Sequence, residues 1–175
     1  MLQKYNRYKL LKVFLDSPNE SFRLRELSRE SGIAPPSVMI YLEEFEKEGL
    51  IEKYERKGIP FYRVKFDNED FRFYKRISIL FELHKSGLID FIWDKLHPEA
   101  IILYGSCARG ESIEKSDIDL FVIGKEKKLD LDEFSDKLGK EIHVMFAENL
   151  GKIHKALRNN IINGIVLKGY IEVFK

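Results

Sequence analysis

The apolar run Ala100–Tyr104 and the run Asp117–Ile123, which alternates at its start and then turns apolar, bracket a stretch that opens with Gly105-Ser106 and closes at Ser116. The first run is short and aliphatic, the pattern of a buried strand, and the second is strand-like in its alternation. Gly105-Ser106 breaks the first strand and opens a short helix. Backbone N–H groups at such a helix start can face a phosphate, and a glycine lets the phosphate approach because it has no Cβ. Residues i and i+2 of a strand share a face, so Asp117 and Asp119 point one way and Ile118 and Leu120 the other. Adjacent carboxylates repel unless a cation sits between them. Oxygen donors of this kind suit Mg²⁺, which is usually held by one or two carboxylates plus substrate phosphates.

The residues Gly105, Ser106, Arg109, Gly110, Ser116, Asp117 and Asp119 lie at a spacing that resembles the DNA polymerase beta-like nucleotidyltransferases, most closely their minimal members, over about residues 98–147. The resemblance implies two Mg²⁺ ions held by Asp117 and Asp119. It implies a nucleoside triphosphate as substrate or ligand, with the metal stabilising the attacking and leaving oxygens of an in-line displacement. Ser106 would contact the β- and γ-phosphates, and Arg109, one turn along the helix, would add a phosphate contact. Plainer readings stand beside these. Ser106 can be an N-cap, Arg109 an ion-pair partner of Asp117 or Glu111, and Ser116 a turn residue. Cys107, the single cysteine, reads as a small packing residue on the helix, since no nucleophile pattern surrounds it.

Active relatives carry a third acid on a neighbouring strand. The candidate strand is Glu141-Ile142-His143-Val144-Met145-Phe146, whose alternation sets Glu141, His143 and Met145 on one face. His143 occupies the position expected for the acid. Glu141 lies two residues earlier on the same face, about 6–7 Å away along a strand. Three readings stay open. His143 acts as a neutral base, its unperturbed pKa being about 6.5; Glu141 completes the acidic set; or the site binds nucleotide and metal without efficient transfer. A strand histidine with no site role is the plain alternative.

The front of the chain has a different pattern. Tyr5, Tyr8, Leu11 and Leu15 recur at helical spacing, and Leu24–Ser31 makes a second short helix. Gly32-Ile33-Ala34-Pro35 is a turn, with Gly ending one helix and Pro able to open the next. A third helix over 36–48 sets Val38, Leu42 and Phe45 on one face. Leu50–Arg56 and Phe61–Phe66 alternate as strands, joined by Lys57-Gly58-Ile59-Pro60. This order is similar to the winged helix-turn-helix domains of prokaryotic regulators. The resemblance implies a recognition helix at 36–48, a wing at 53–63 and double-stranded DNA as partner, with Arg25, Ser37, Met39, Lys53, Arg56 and Lys57 as contacts. Charge complicates it: residues 1–70 hold 13 Lys or Arg and 13 Asp or Glu, and the third helix carries Glu43, Glu44, Glu46 and Glu48 where phosphate contacts need cations. A module that only dimerises or docks a partner is the alternative.

The whole chain has 175 residues, enough for one large or two small domains. Its organisation reads as α+β: a winged helix-turn-helix at 1–68, linking helices at 69–97 broken near Ser86-Gly87, and a nucleotidyltransferase domain at 98–175 with a small mixed sheet flanked by helices. The stripe over 71–83 is a packing surface with a homodimer as one possible use. His84, His97 and His154 have no ligand-spaced partners, which argues against zinc. Residues 149–160 are amphipathic and basic, with Lys152, Lys155 and Arg158 either lining a nucleotide cleft or solvating a helix face, and Ile161–Phe174 adds a closing helix or strand. No apolar run approaches the ~18 residues of a membrane span, and the first residues lack the apolar core of a signal peptide. With one cysteine no internal disulfide forms, and a cytoplasmic location is expected. Net charge is +1, so bulk charge alone points to no nucleic acid. The 34% of charged residues and a single glutamine, Gln3, are similar to thermophile or archaeal usage. Two function classes follow: a nucleotidyltransferase with an unidentified acceptor, a partner protein among the candidates, or a regulator whose nucleotidyltransferase fold binds nucleotide without turnover.

Overall fold

The computed structural model describes residues 5–172, apart from the side chain of Lys152, so Phe174 and the Lys152 side chain lie outside the described residues. The chain divides into two compact units, 1–78 and 79–175. The division falls inside one long helix.

In the first unit, α1 (Asn6–Asp16) buries Leu10, Leu11, Phe14 and Leu15. Tyr5, expected on its apolar face, is 62% exposed instead. The helix starts one residue later, and Leu10 and Phe14 make the centre of the buried stripe. A two-residue strand, β1 (Ser21–Phe22), follows, then α2 (Leu24–Ser31), which ends at Gly32 in the left-handed conformation. Pro35 opens α3 (Pro35–Lys47), and Val38, Leu42 and Phe45 are buried at i, i+4 and i+7, the spacing of one helical face. The hairpin β2 (Ile51–Arg56) and β3 (Ile59–Val64) closes the unit in an antiparallel sheet of order β1-β3-β2.

The hairpin turn is tighter than the sequence suggests. Only Lys57 and Gly58 form it, with φ of 53° and 74°. Two successive positive φ values give the strand twist a two-residue hairpin needs. Pro60 therefore lies within β3, opposite Glu55. It is tolerated because β1 pairs only with Tyr62 and Arg63, so no ladder partner awaits a Pro60 N–H.

The long helix is α4 (Glu69–Ser86), and α5 (Leu88–Leu96) follows the break at Gly87. The second unit is built on β4 (Ala100–Tyr104), α6 (Gly105–Arg109), β5 (Ile118–Ile123), α7 (Asp132–Leu138), β6 (Ile142–Ala147), α8 (Lys155–Ile162) and β7 (Ile165–Gly169). Its four-stranded mixed sheet has the order β6-β5-β4-β7, and only β5 and β6 run parallel. The segment after residue 161 is thus a short helix end plus a strand. All five residues of β4 are buried. One face of the sheet packs Ile101, Leu103, Ile118, Leu120 and Val122 against Leu88, Ile92, Phe134 and Leu138. The other packs Ala100, Ile102, Phe121 and Ile123 against Leu157 and Ile161 of α8. The same second face carries the acidic residues at its opposite end. Among the described residues no helix is long and apolar enough to cross a membrane.

Candidate active site

Gly105 follows the buried strand β4 with φ of 72°. That left-handed value is accessible to glycine at little cost. Tyr104 stands opposite Asp119 in the antiparallel register, which brings the Asp119 carboxylate over Gly105. A Cβ built on Gly105 would overlap that carboxylate. The glycine thus makes room for the acid. Ser106 does not cap the helix: the N-cap of α6 is Tyr104, without a side-chain cap bond. The Ser106 hydroxyl bonds no described residue, whereas its carbonyl accepts from the Glu111 N–H at 2.9 Å.

Asp117 precedes β5 and Asp119 is its second residue. Both are half-buried, while Ile118 and Leu120 are fully buried on the opposite face, as i and i+2 geometry requires. Burial pushes the Asp119 carboxyl above its ordinary range. The Asp117 charge raises it further, and His143 and Arg109 pull the other way. Burial also raises the Tyr104 hydroxyl, with Asp119 adding to the shift. A desolvated carboxylate beside a like charge is the electrostatic setting a cation relieves.

His143 stands directly beside Asp119 in the parallel register of β5 and β6. Its Nδ1 lies 3.8 Å from Asp117 Oδ2, and its Nε2 lies 3.7 Å from Glu141 Oε2. His143 therefore lies between the two acids, beyond hydrogen-bond distance of either. The Glu141 side chain is 82% exposed, while its carbonyl accepts the Ile118 N–H at 2.8 Å. Arg109 donates from Nε to Glu111 Oε2 at 2.7 Å, with about half of its side chain in solvent. Cys107 is buried and its thiol donates to the Asp117 carbonyl at 3.3 Å. Ser116 is a turn residue: its hydroxyl accepts the Ile113 N–H at 2.8 Å.

Among the described residues no group of three or more His, Cys, Asp or Glu side chains surrounds a common metal position. The donor set still fits Mg²⁺, because this ion commonly takes one or two carboxylates and completes its shell with phosphate oxygens and water.

The Lys140 ammonium is absent from the motif and meets the turn that leads into Asp117. Its spacing carries no periodic signal. Only the parallel pairing of β5 with β6 brings it there.

In the first unit, Arg25, Met39, Lys53, Arg56 and Lys57 are exposed and Ser37 is half-buried. Ile40 is 58% exposed beside Met39 on α3. Other cations are engaged. Arg23 stacks over Phe61 and Arg63 over Tyr54, Arg63 also pairs with Glu52 at 2.5 Å, and Arg7 pairs with Glu44 and Glu48 of the acidic end of α3.

Residues 86–170 match the family described as Polymerase beta, Nucleotidyltransferase. The matched stretch contains Gly105, both aspartates, and all four strands of the second sheet. Over that stretch the chain is similar to the nucleotidyltransferase superfamily. No curated protein and no solved structure matches the chain.

Proposed function

We propose that the second unit is a Mg²⁺-dependent nucleotidyltransferase that moves a nucleoside monophosphate from a nucleoside triphosphate to an acceptor hydroxyl. The observation that carries this reading is the Asp117–Asp119 pair on one strand face, with Asp119 packed over the Cβ-less Gly105. Asp117 and Asp119 would hold the metal, which when bound supplies positive charge to the triphosphate. The Ser106 hydroxyl, bonded to no described residue, is available for a phosphate oxygen. Arg109 exchanges its exposed pairing with Glu111, worth at most about 1 kcal/mol, for the stronger charge-assisted bond to phosphate. His143, held between two carboxylates, accepts the acceptor's proton. The acceptor oxygen bonds to the α-phosphorus, the α–β bridging bond breaks, and pyrophosphate leaves.

The first unit is read as a winged helix-turn-helix that docks on double-stranded DNA. Support comes from the helix order α1, α2, α3 followed by the hairpin, from the exposed Met39 and Ile40 on α3, and from exposed Arg56 and Lys57 at the hairpin tip. Pairing of Glu44 and Glu48 with Arg7 offsets part of the acidity of α3.

Incubation with α-labelled ATP, GTP, CTP or UTP and cell extract tests transfer: label should appear on a macromolecule or small molecule and vanish with Asp117→Ala. Finding no labelled acceptor while Mg²⁺-dependent nucleotide binding persists would favour the second reading, a regulator that senses nucleotide. His143 beside Asp119, where active relatives are expected to carry an acid, is the observation behind that alternative.

A further inference from the structure

Lys140 directly follows Gly139, whose left-handed φ of 62° ends α7. Continuing the parallel register of Ile118 with Ile142 two residues back places Lys140 level with Ser116. Its ammonium donates to the carbonyls of Ile113 at 3.0 Å, Glu114 at 3.1 Å and Ser116 at 3.1 Å. An ammonium has three N–H donors and no acceptor, so Lys140 commits its full donor capacity to one turn. An exposed lysine that merely solvates a surface has no such geometry. The turn is already closed by the Ser116 N–H to the Ile113 carbonyl at 3.1 Å and by the Ser116 hydroxyl. What Lys140 adds is a hold on the Ser116 carbonyl. That carbonyl belongs to the peptide plane that carries the Asp117 N–H, so its orientation sets the Asp117 backbone.

We propose that Lys140 is a positioning residue that aims the Asp117 carboxylate onto the Asp119 face by clamping the 113–116 turn. The proposal rests on the reading of Asp117 and Asp119 as metal ligands. From the other side Asp117 is fixed by the Cys107 thiol at its carbonyl and by the Ile118 N–H bond to the Glu141 carbonyl. Lys140 and Glu141 therefore tie both sides of the Asp117 backbone to the entry of β6. Sequence pairing across the strands, and not the motif itself, supplies the support. Groups that orient metal ligands typically change metal affinity by about 10–100-fold when removed.

The sign of the effect separates this role from simple charge. Removing a cation near a divalent-metal site should tighten Mg²⁺ by Coulomb's law alone. Loss of positioning weakens it. Lys140→Met keeps the aliphatic stem and removes the donors. Lys137→Met is the control, since Lys137 lies on the same helix-loop segment and its contacts are local, to Glu133 at 2.5 Å and over the Phe134 ring. The measurement is the Mg²⁺ midpoint for ATP binding by calorimetry, together with backbone amide exchange at Ser116, whose N–H closes the clamped turn. Lys140→Met should raise the midpoint about tenfold and speed Ser116 exchange, Lys137→Met should change neither, and Lys140→Arg should fall between. An unchanged or lower midpoint in Lys140→Met, or the same rise in Lys137→Met, overturns the proposal. If Lys140→Met does not fold, Lys140→Arg decides: a wild-type midpoint counts against the clamp. Absence of Mg²⁺-dependent ATP binding in the wild type would instead overturn the nucleotidyltransferase reading. Amide exchange would then judge the clamp alone, and equal Ser116 exchange in Lys140→Met and Lys137→Met would sink it.

Discussion

Replacing Gly105 by alanine should damage the site more than it damages the fold. Gly105 has φ of 72°, and a Cβ there meets the Asp119 carboxylate. The backbone contribution is the cost of a left-handed alanine, about 1–2 kcal/mol. For a domain of this size each kcal/mol lowers Tm by roughly 4–8 °C. The second contribution is steric, and the side chain that must give way is Asp119. Gly87→Ala isolates the first: its φ is 80°, and an added Cβ meets nothing within 4 Å. Both variants should lose similar stability in thermal or urea unfolding. Only Gly105→Ala should lose Mg²⁺-dependent ATP binding in calorimetry. Wild-type affinity in Gly105→Ala, or equal loss in Gly87→Ala, would refute the claim that Gly105 makes room for a metal-binding carboxylate.

Asp119→Asn tests the electrostatics. Burial raises the folded pKa of Asp119, so the folded chain binds this proton more tightly than the unfolded one. That group's stabilising contribution is present at acid pH and is lost as pH rises through its folded pKa. Metal-free Asp119→Asn should therefore be more stable than wild type at pH ~7, with the gap closing on acidification; unfolding curves across pH that show wild type more stable at neutral pH would contradict this. Arg109→Ala should move stability by no more than about 1 kcal/mol, because its Glu111 pair is exposed, yet weaken ATP binding about tenfold, the scale of a charge-assisted bond. Arg56→Ala and Lys57→Ala should each lower the salt dependence of DNA binding by about one unit of slope, measured by mobility shift across salt; an unchanged slope would remove the hairpin tip from the DNA surface.

Local periodicity made much of this molecule legible. The apolar runs of β4 and β5, the shared face of Asp117 and Asp119, and the Val38-Leu42-Phe45 stripe depend only on residues close in sequence. Features that depend on distant pairing were hidden. β1 is two residues long and exists only because β3 offers a partner. The hairpin turn starts at Lys57 as expected but closes two residues early, because Lys57 adopts a positive φ that its residue type does not advertise. α7 lies in a charged stretch without a clear apolar stripe and buries no residue fully. In the site, the strand break at Gly105 and the shared face of Asp117 and Asp119 were readable from their spacing. The placement of His143 between Asp117 and Glu141 and the Lys140 clamp were not, since both follow from the parallel register of β5 and β6. Glycine at 105 was readable as a turn residue, but its contact with Asp119 appears only when β4 and β5 are paired.

The most direct test is an isothermal titration of ATP into the full chain with and without Mg²⁺, repeated on Asp117→Ala combined with Asp119→Ala. The account predicts Mg²⁺-dependent binding in the wild type that disappears in the double variant while its far-UV circular dichroism stays unchanged. Binding that ignores Mg²⁺, or that survives loss of both carboxylates, would contradict it.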